Sequence, residues 1–546
     1  MKIILDFIER ISIKTVEVIA ILLFACITLF GAFRSARLKD GYGQKLFLVH
    51  DSILINIIFV IILFGILKII AGFIAKNMDR RTKLLLILTL VYTFAASLSF
   101  AALSKSFPTA DQASVYYGAN HFASDYFADI AAKNSYFSCY PHQMGLAFFY
   151  EMILRFTNMF SLPIENFQVL QALNAVFNCI TVLSLYKITD IIFEEKKVGI
   201  YFLLMMILCL PLIWYTPFVY GELPSFAFSF AGVWLLLEGI SAKKNLSRVK
   251  KIFLLTASII SLTVATSVRK NTLILIIAIV LTVSINILKE KKLSLVIYPV
   301  VLILLTTGIN GWIILRYERC AAAELNDGVP GISHVVMGLQ ETEYAPGWYN
   351  GFNFNTYAYE ADYNQAEAIR LSKIAINERL EEFKEAPAYA FDFFKDKFMA
   401  EWLNTGYACY DSTAGKYYDR LPFIESLYSG TGFYLVCFFM DKYQFAIYLS
   451  ALIFVISEAL TKQAEEDASL QCSKILRYIL LVTILGGAIF YMVWEGSGRY
   501  ILPYFIMTIP YAAAGMGQIE KLSDKLGGKL REKYISSSFK NTKSVV

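Results

Sequence analysis

Charged side chains are scarce in this sequence. Asp, Glu, Lys and Arg make up 17% of its 546 residues, whereas soluble domains average about 25%. Hydrophobic residues account for 57% of the chain, and the mean hydropathy is +0.54. This balance excludes an ordinary water-soluble globular protein and favours a protein embedded in a membrane.

Cysteines are also few and do not form a framework. Eight occur, of which Cys26, Cys179, Cys209 and Cys437 lie in or beside apolar runs, where a thiol behaves as a small hydrophobic group. Three others, Cys139, Cys320 and Cys409, fall in predicted external loops. A Cys320–Cys409 disulfide is compatible with this placement, but the spacing does not fix the connectivity.

A secretory signal peptide is a further feature that we expect to be missing. The first residues, MKIILDFIERISIK, carry charges where a signal peptide has its apolar core, and no small-residue cleavage site follows.

Long apolar runs are what the chain has in abundance. A helix that crosses a bilayer needs roughly 18–20 apolar residues, and the sequence predicts about twelve such spans. They lie near Val16–Phe33, Ser52–Phe73, Leu84–Leu103, Phe167–Phe193, Val198–Pro217, Leu223–Ile240, Ile252–Ser267, Thr272–Leu288, Leu293–Ile314, Gln444–Leu460, Ile475–Trp494 and Tyr500–Met516. The predicted fold class is an all-α polytopic membrane protein. A β-barrel would show weak alternation instead of solid apolar runs.

Basic residues predict the orientation. With both termini in the cytoplasm, the basic segments 76–83, 194–197, 241–251, 289–292 and 520–543 all become cytoplasmic, as the positive-inside rule requires. The loop RSARLKDGYGQK (34–45) is the exception, because it is predicted to be external despite four basic residues. The net charge of +6 is thus explained by topology, and we expect no nucleic-acid partner.

One apolar segment, MGLAFFYEMILRFTNMF (144–160), is interrupted by Glu151 and Arg155, which are four residues apart. A helix with a charged pair on one face suits the membrane interface better than the bilayer centre. We predict an external juxtamembrane helix.

Most of the polar sequence lies in two predicted external regions, the loop after the third span and a long section near 316–442. The second contains YNQAEAIRLSKIAINERLEEFKEAPAYAFDFFKDKFMAEWL, whose helical spacing predicts two or three amphipathic helices. The predicted organisation is N-terminal transmembrane helices (1–104), a first external loop with juxtamembrane helices (105–166), central transmembrane helices (167–315), a large external loop domain (316–442), C-terminal transmembrane helices (443–517) and a basic cytoplasmic tail (518–546).

Charged residues at the rim of a membrane often mark function. Six of them are predicted to lie on the external side near span ends: Asp111, Glu222, Glu495, Arg269, Lys270 and Arg499. A lone acid there is commonly just solvated, and Lys or Arg commonly reaches toward lipid headgroups. Basic residues in an external turn run against the positive-inside rule, however, and suggest a bound phosphate.

Acids beside a phosphate site suggest acid–base chemistry. A carboxylate can take the proton of an acceptor hydroxyl, while bases stabilise a leaving phosphate. Polyprenyl-phosphate sugars suit this layout, since their tail lies in the bilayer and their sugar points outward. Aromatic residues of the first loop could cover the sugar or prenyl chain, or could form an interfacial belt or the core of the loop: Tyr116, Tyr117, Phe122, Tyr126, Phe127, Tyr136 and Tyr140.

The order of these segments resembles the GT-C superfamily of integral-membrane glycosyltransferases, over roughly Leu84–Met516. The most specific part is DQASVYYGANHFASDYF followed by YPHQMG, which is similar to a bacterial branch related to protein O-mannosyltransferases and lipid A aminoarabinose transferases. HVVMGLQETEYAPGWYNGFNFN and GRYILPYF add to the resemblance, whereas GELPSF and VRKN gain weight from their order. The first two spans look like an N-terminal addition.

The resemblance implies a role for individual residues. Asp111 matches the catalytic acid, and Glu222 matches a second acid that arranges the acceptor or a metal. Arg269, Lys270, Arg499 and His142 would approach the donor phosphate. Further substrate contacts would come from Tyr116, Tyr140, Gln143, Tyr500, His334 and Glu341. Asp111 is followed by Gln112 where many members have a second acid, which weakens the case for a metal there, although Asp111 and Glu222 together could still hold a divalent cation, Mg²⁺ or Mn²⁺.

The implied activity is inverting transfer of a sugar from an undecaprenyl-phosphate donor to a glycan, lipid or protein acceptor, on the external face of a bacterial plasma membrane. Two alternatives stay open. A flippase or transporter of lipid-linked sugars would show inverted repeats and midplane polar groups, and we find no clear repeat. An oligosaccharide polymerase or ligase would use a lipid-diphosphate donor.

Overall fold

The computed structural model describes residues 2–160, 164–241, 246–460 and 474–542. The first part contains α1 (Lys2–Phe33), β1 (Arg34–Leu38), β2 (Leu46–His50), α2 (Ile53–Ala75), α3 (Met78–Ser104), α4 (Ala110–Ala123), α5 (Ala128–Ala131), α6 (Tyr136–Cys139) and α7 (Met144–Asn158). The central part contains α8 (Asn166–Phe193), α9 (Lys196–Ile207), α10 (Leu210–Trp214), α11 (Glu222–Ile240), α12 (Arg248–Val268), α13 (Leu273–Glu290) and α14 (Ile297–Ala321).

The last part begins with the predicted loop domain. It contains α15 (Gly331–Leu339), α16 (Phe352–Asn355), α17 (Gln365–Glu385), α18 (Pro387–Trp402), α19 (Cys409–Thr413), α20 (Pro422–Ser426), α21 (Thr431–Leu460), α22 (Ile479–Val493) and α23 (Gly498–Thr542). Short 3₁₀ turns occupy Pro141–Gln143, Lys270–Thr272, Leu293–Val296 and Lys474–Tyr478, and a π-helical turn occupies Thr356–Glu360.

Ten helices in the described residues are long and apolar enough to cross a membrane. They include α1, α2, α3, α8, α11, α12, α13, α14, α21 and α22 with their flanking turns, and they coincide with ten of the twelve predicted spans. On α2, Ile61, Ile69 and Phe73 are exposed, as a lipid-facing surface requires. The chain is therefore a polytopic, largely helical membrane protein.

The other two predicted spans have a different form. Val198–Pro217 is divided between α9 and the five-residue α10, with Pro211 in the first turn of α10. Proline has no backbone N–H to continue a helical ladder and disfavours a helical residue before it, so the break falls there. Tyr500–Met516 forms the first part of α23, which continues through most of the predicted tail to Thr542. The total of twelve spans stays a prediction.

Within the described residues, the predicted all-α fold has one exception, a β-hairpin between α1 and α2. β1 and β2 pair antiparallel from Arg34 opposite His50 to Leu38 opposite Leu46. The hairpin also bonds the rest of the protein: Ala36 N donates to Leu403 O at 3.3 Å, and Leu46 N donates to Tyr344 O at 2.9 Å. These hydrogen bonds connect the two N-terminal spans to the predicted large external loop domain (316–442).

The predicted juxtamembrane segment forms α7, which is not among the ten candidate spans. Glu151 is fully buried and accepts hydrogen bonds from Arg155 (Nε–Oε1, 2.8 Å), Arg316 (Nη2–Oε1, 2.7 Å) and the Tyr317 hydroxyl. The charged pair seen in the sequence is thus part of a network that fixes α7 to the end of α14.

The amphipathic stretch of the predicted loop domain forms two helices, α17 and α18. Lys397 on α18 is fully buried, and its Nζ donates to the carbonyl oxygens of Gly338 at 2.7 Å and Trp494 at 2.7 Å. α18 therefore supports the segment between α22 and α23. Cys320 is an exposed free thiol and Cys409 a buried one, so the disulfide that the sequence allowed is not formed.

Candidate active site

The ends of several spans meet at one end of the helical bundle and carry a cluster of charged residues. Asp111 lies in the first turn of α4, and Glu222 begins α11. Arg269 follows the last residue of α12, and Arg499 lies in the first turn of α23. Helices that run in alternating directions bring these ends together, although the residues are far apart in the chain.

Asp111 lies in a partly enclosed, polar environment. The Tyr136 hydroxyl is within hydrogen-bonding reach of its carboxylate, and the charges of Arg499, Glu495 and Glu222 all act on it. Burial raises the pKa of the Asp111 carboxyl, the two acids add to this effect, and Arg499 opposes it. A carboxyl with a raised pKa is better matched to proton transfer near neutral pH than an ordinary aspartate.

Glu222 and Arg269 form a buried ion pair, with Arg269 Nη1 2.5 Å from Glu222 Oε1. The other oxygen, Oε2, is buried without a hydrogen-bond partner in the described part of the chain. The pair is close because the preceding turn is tight: a Cβ on Gly221 would lie 3.0 Å from the carbonyl oxygen of Val268. The sequence assigned these residues separate roles, whereas they neutralise each other.

Arg499 has no carboxylate partner at ion-pair distance among the described residues, although it is surrounded by acids. Its charge acts on Asp111 and on Asp411. The guanidinium donates to the Tyr500 hydroxyl at 3.3 Å, and the Tyr500 ring lies 5.2 Å from Arg499 and 5.6 Å from Arg269. An arginine without a fixed counter-ion, next to a second arginine, is suited to binding an anion.

Helix α7 supports the tyrosines around Asp111. Gln143 Nε2 donates to the Tyr220 hydroxyl at 2.7 Å, and the Tyr150 hydroxyl donates to the Tyr220 carbonyl at 2.9 Å. Tyr220 is within hydrogen-bonding reach of Tyr136, which reaches Asp111. A continuous chain of polar side chains therefore runs from α7 to the carboxylate.

A close approach of α7 and α12 places this chain beside Arg269. A Cβ on Gly145 would lie 2.1 Å from the carbonyl oxygen of Ser267, a distance that a larger residue could not accept without moving the helix. The glycine therefore lets α7 lie directly against the end of α12.

His142 and Lys270 lie at the edge of the cluster. His142 is exposed, and its pKa is lowered by desolvation from the protein groups around it and by the charges of His334 and Lys270. The imidazole is therefore neutral at pH 7. Lys270 is half-buried and makes no ion pair with a described residue, so its charge is available to a ligand.

His334 and Glu495 form a second acid–base pair in this region, with His334 Nδ1 2.9 Å from Glu495 Oε2. The imidazole stacks on Trp494 with a centroid distance of 5.3 Å and an interplanar angle of 8°. Glu495 also acts on Tyr140, whose pKa is raised by burial and by the charges of Tyr349, Asp111 and Glu495. His334, predicted only as an acceptor contact, thus binds a carboxylate that acts on Asp111.

A narrow apolar groove leads from Arg269 into the bundle. Its cavity volume is about 30 Å³, which is space for about two water molecules, so a lipid chain could enter only if the lining side chains move apart. It is lined by one face of α11, the turn before α13, one residue of α22 and the start of α23: Ser225, Phe226, Ser229, Phe230, Arg269, Asn271, Thr272, Leu275, Thr483, Tyr500, Pro503, Tyr504 and Met507. Because α11, α13 and α22 are candidate spans, the groove lies beside the membrane-embedded part of the chain, with Arg269 at its polar end.

Two predicted substrate contacts lie apart from this cluster. Tyr116 packs on Tyr117 and Phe167, each at a centroid distance of 5.2 Å. Glu341 is exposed and accepts a hydrogen bond from the Tyr389 hydroxyl at 2.9 Å. Neither is among the groups that act most strongly on the pKa of Asp111.

Three residues of the cluster were not predicted: Tyr220, Tyr349 and Asp411. Tyr220 precedes Glu222 by two residues, and this proximity is a usable sequence signal. Tyr349 and Asp411 come from the long section between α14 and α21, where no spacing points to the site. Gln44 of the hairpin donates to Asp411 Oδ2 at 3.4 Å, so the N-terminal addition also reaches this region.

A cation site is not evident in the residues themselves. No group of three or more His, Cys, Asp or Glu side chains with metal-binding geometry occurs in the described ranges. Glu222 is neutralised by Arg269, so Asp111 and Glu222 together carry less free negative charge than a divalent cation prefers.

Comparison with known proteins does not assign the chain to a family. No protein-family model matches it, and no curated protein matches it either.

Proposed function

We propose that the protein is an inverting GT-C-like glycosyltransferase, which moves a sugar from a polyprenyl-phosphate donor to an acceptor hydroxyl. The observation that carries this proposal is the apolar groove between membrane helices that ends at Arg269, beside Arg499 and the acid cluster. A lipid phosphate needs an apolar groove for its chain and basic residues for its phosphate group. A transporter is less well supported, because the charged residues of this cluster lie at helix ends, whereas transporter sites lie near the midplane.

The donor would be held by groups of two kinds. Its prenyl chain would enter the groove by moving Phe226, Leu275 and Met507 apart, and burial of apolar surface there contributes about 25 cal/mol per Å². Its phosphate would lie near Arg499, which lacks a fixed counter-ion, with Arg269 and Lys270 nearby. Arg269 is already paired with Glu222, so we assign Arg499 the larger share of phosphate binding.

The chemistry would be a direct displacement at the anomeric carbon. The acceptor oxygen bonds to that carbon as the bond to the phosphate oxygen breaks, and the acceptor proton passes to the Asp111 carboxylate. Negative charge that develops on the leaving phosphate is stabilised by Arg499 and its neighbours. The raised pKa of Asp111 favours proton uptake by this residue.

The finer features of the proposal follow the predicted topology and the resemblance. The reaction would take place on the external face of a bacterial plasma membrane, with both termini in the cytoplasm. The carrier would be undecaprenyl phosphate, and the acceptor a glycan, lipid or protein.

The experiment is transfer of labelled sugar from polyprenyl phosphate in membranes that contain the wild-type protein or Asp111→Asn. Asn keeps the size of the side chain but cannot take the proton, so we expect at least about a hundredfold loss, in the range typical of general-base removal. Asp129→Asn, which changes an aspartate paired with His121 away from the cluster, is the matched control. Wild-type transfer by a folded Asp111→Asn protein would remove Asp111 from the mechanism. Movement of the intact lipid across the membrane without glycoside formation would favour a flippase.

A further inference from the structure

A short segment of the predicted loop domain, residues 417–423, exposes a cluster of large apolar side chains. Four of them are more than half exposed: Tyr417 (55%), Tyr418 (75%), Leu421 (59%) and Phe423 (72%). Single exposed apolar residues are ordinary on a protein surface, whereas several together mark a contact with another molecule or with a membrane. The 417–423 segment is therefore a contact surface.

The 417–423 segment is bound to the end of a candidate span. Arg420 Nε donates to the carbonyl oxygen of Ser104, the last residue of α3, at 2.6 Å. The Arg420 guanidinium lies 3.8 Å from the centre of the Tyr428 ring. Tyr428 in turn stacks on Phe100, which lies one turn inside α3, with a centroid distance of 6.5 Å and an interplanar angle of 12°. The segment is thus held at the level of the last turn of α3.

The end of α3 coincides with the edge of the hydrocarbon core of a bilayer. No charged residue occurs between Lys83 and Lys105, and this uncharged stretch spans about 30 Å as a helix. The hydrocarbon core is also about 30 Å thick, so Lys105 lies near the lipid headgroups. Tyr417 N donates to the Lys105 carbonyl oxygen at 3.0 Å. Tyr417 therefore lies at the depth of the headgroups as well.

Exposed apolar side chains continue on the two candidate spans next to the segment. Leu98 and Leu103 are exposed near the end of α3, and Leu435 and Phe438 are exposed near the start of α21. On a span, such side chains are covered by lipid. Tyrosine suits the boundary between lipid and water, because its ring is apolar and its hydroxyl is polar. Lipid is therefore the partner that fits both the spans and the 417–423 segment.

We propose that the 417–423 segment is a membrane-contact surface, whose apolar side chains insert between the lipid headgroups beside α3 and α21. The partner is phospholipid of the leaflet in which α3 ends. This part of the predicted external domain is thus embedded in the membrane interface and is not surrounded by water. The proposal goes beyond the transferase function and does not depend on it.

The proposed contact also supports the connection that leads from α3 to Asp111. A Cβ on Gly415 would lie 2.8 Å from Thr109 Cγ2 and 3.1 Å from Phe107 Cε1. The Phe107 ring is 5.0 Å from the Tyr417 ring, measured between centroids. The residues just before Asp111 therefore pack against the start of the segment, so its insertion holds this connection at the membrane surface.

Photo-crosslinking of the full-length protein tests the proposal. The photoreactive residue p-benzoyl-phenylalanine replaces Tyr418 or Phe423, and the purified protein is irradiated in vesicles of phosphatidylethanolamine and phosphatidylglycerol. Mass spectrometry should detect phospholipid adducts at both positions, in a yield similar to that at Ile69, an exposed residue of the candidate span α2. Tyr359, which lies between α16 and α17 and is 74% exposed, is the matched control for Tyr418. We expect several-fold less lipid adduct there.

Two results would overturn the proposal. If the probe at position 418 gives mainly crosslinked dimers, a second copy of the chain covers the segment instead of lipid. If the lipid adduct at positions 418 and 423 is no more abundant than at position 359, while the probe at position 69 reacts, the segment faces water.

A second measurement avoids the bulky crosslinker. Trifluoromethyl-phenylalanine in place of Tyr418 or Tyr359 gives a fluorine resonance, which is broadened by a nitroxide on the lipid acyl chain or by a water-soluble nickel chelate. The resonance at position 418 should be broadened mainly by the lipid nitroxide, and that at position 359 mainly by the chelate. Stronger broadening of position 418 by the chelate would contradict the lipid contact. Neither experiment measures sugar transfer, so a failure of the proposed function would leave both results unchanged.

Discussion

Arg269 and Glu222 lie 2.5 Å apart, from Nη1 to Oε1, with side chains that are 13% and 1% exposed. The pair connects the end of α12 with the start of α11 at the polar end of the apolar groove. Each residue compensates a charge that would otherwise be buried without a partner, which is costly in a low-dielectric environment.

Because the two residues form a buried ion pair, their substitutions should have strongly non-additive effects on the free energy of unfolding. Glu222→Gln or Arg269→Met alone should each lower the free energy of unfolding by about 3–5 kcal/mol, since each leaves one buried charge unpaired. The double variant should lose clearly less than the sum. Thermal unfolding of the detergent-solubilised variants measures the cycle. The exposed Lys395–Asp392 pair is the control, where about 0–1 kcal/mol is expected; additive losses at Arg269 and Glu222 would argue against a coupled pair.

A substitution that narrows the groove should weaken binding of the donor selectively. Ser229 lines it and is 6% exposed, so Ser229→Phe should narrow the space for the lipid chain. We expect the KM for the polyprenyl donor to rise about tenfold, which corresponds to about 1.4 kcal/mol, with kcat nearly unchanged. Ile277→Phe, on the exposed face of α13, is the matched control. If the two substitutions raise the KM equally, donor binding does not depend on the groove.

The Asp411 carboxyl should make the free energy of unfolding depend on pH. Burial raises the pKa of this carboxyl from 3.8 to about 6, against the opposing charge of Arg499. The fold therefore favours the protonated form: its stabilisation is complete below about pH 3.8 and is lost as the pH rises through about 6. At pH 7 the ionised carboxylate destabilises the protein by about 3 kcal/mol.

Asp411→Asn should accordingly raise the melting temperature at pH 7 and leave it close to that of the wild type near pH 4. Asp419→Asn, at a fully exposed side chain, should have no such pH-dependent effect. A variant that is destabilised equally at both pH values would show that Asp411 is held as a carboxylate by its neighbours.

Replacement of Lys397 should cause a local loss of order. Its Nζ binds three carbonyl oxygens, at Gly338, Met492 and Trp494. Lys397→Met removes these bonds and should cost about 3 kcal/mol or more, because buried carbonyl groups lose their partner. Hydrogen exchange should increase mainly in α15 and in residues 492–498. Lys395→Met, at a partly exposed position on the same helix, is the control. If hydrogen exchange in α15 and in residues 492–498 is unchanged in both variants, Lys397 does not support these segments.

Much of the architecture could be predicted from apolar periodicity. Ten spans and the helices α17 and α18 were visible because their patterns are long and regular. The break between α9 and α10 was missed because the apolar run continues across it, although Pro211 and Pro217 were available as signals. The hairpin was missed because its strands have only five residues each, β1 is polar, and both are stabilised by distant partners such as Leu403 and Tyr344.

The site was predicted unevenly for a similar reason. Residues that stand out at span ends, such as Asp111 and Arg499, are conspicuous because charge is rare there. Their pairing is not visible in the sequence, so the neutralisation of Glu222 by Arg269 and the orientation of His334 by Glu495 required the three-dimensional arrangement. Asp411 lies in a polar segment, where one more acid is unremarkable.

The central claim is that the groove and the arginines bind a lipid phosphate. The most direct measurement is an experimental structure of the full-length protein in lipid with a polyprenyl phosphate. We predict density for the phosphate between Arg499, Arg269 and Lys270, and for the prenyl chain along Phe226, Leu275 and Met507. A phosphate bound elsewhere, with the groove filled by side chains or by a bulk phospholipid chain, would contradict the account.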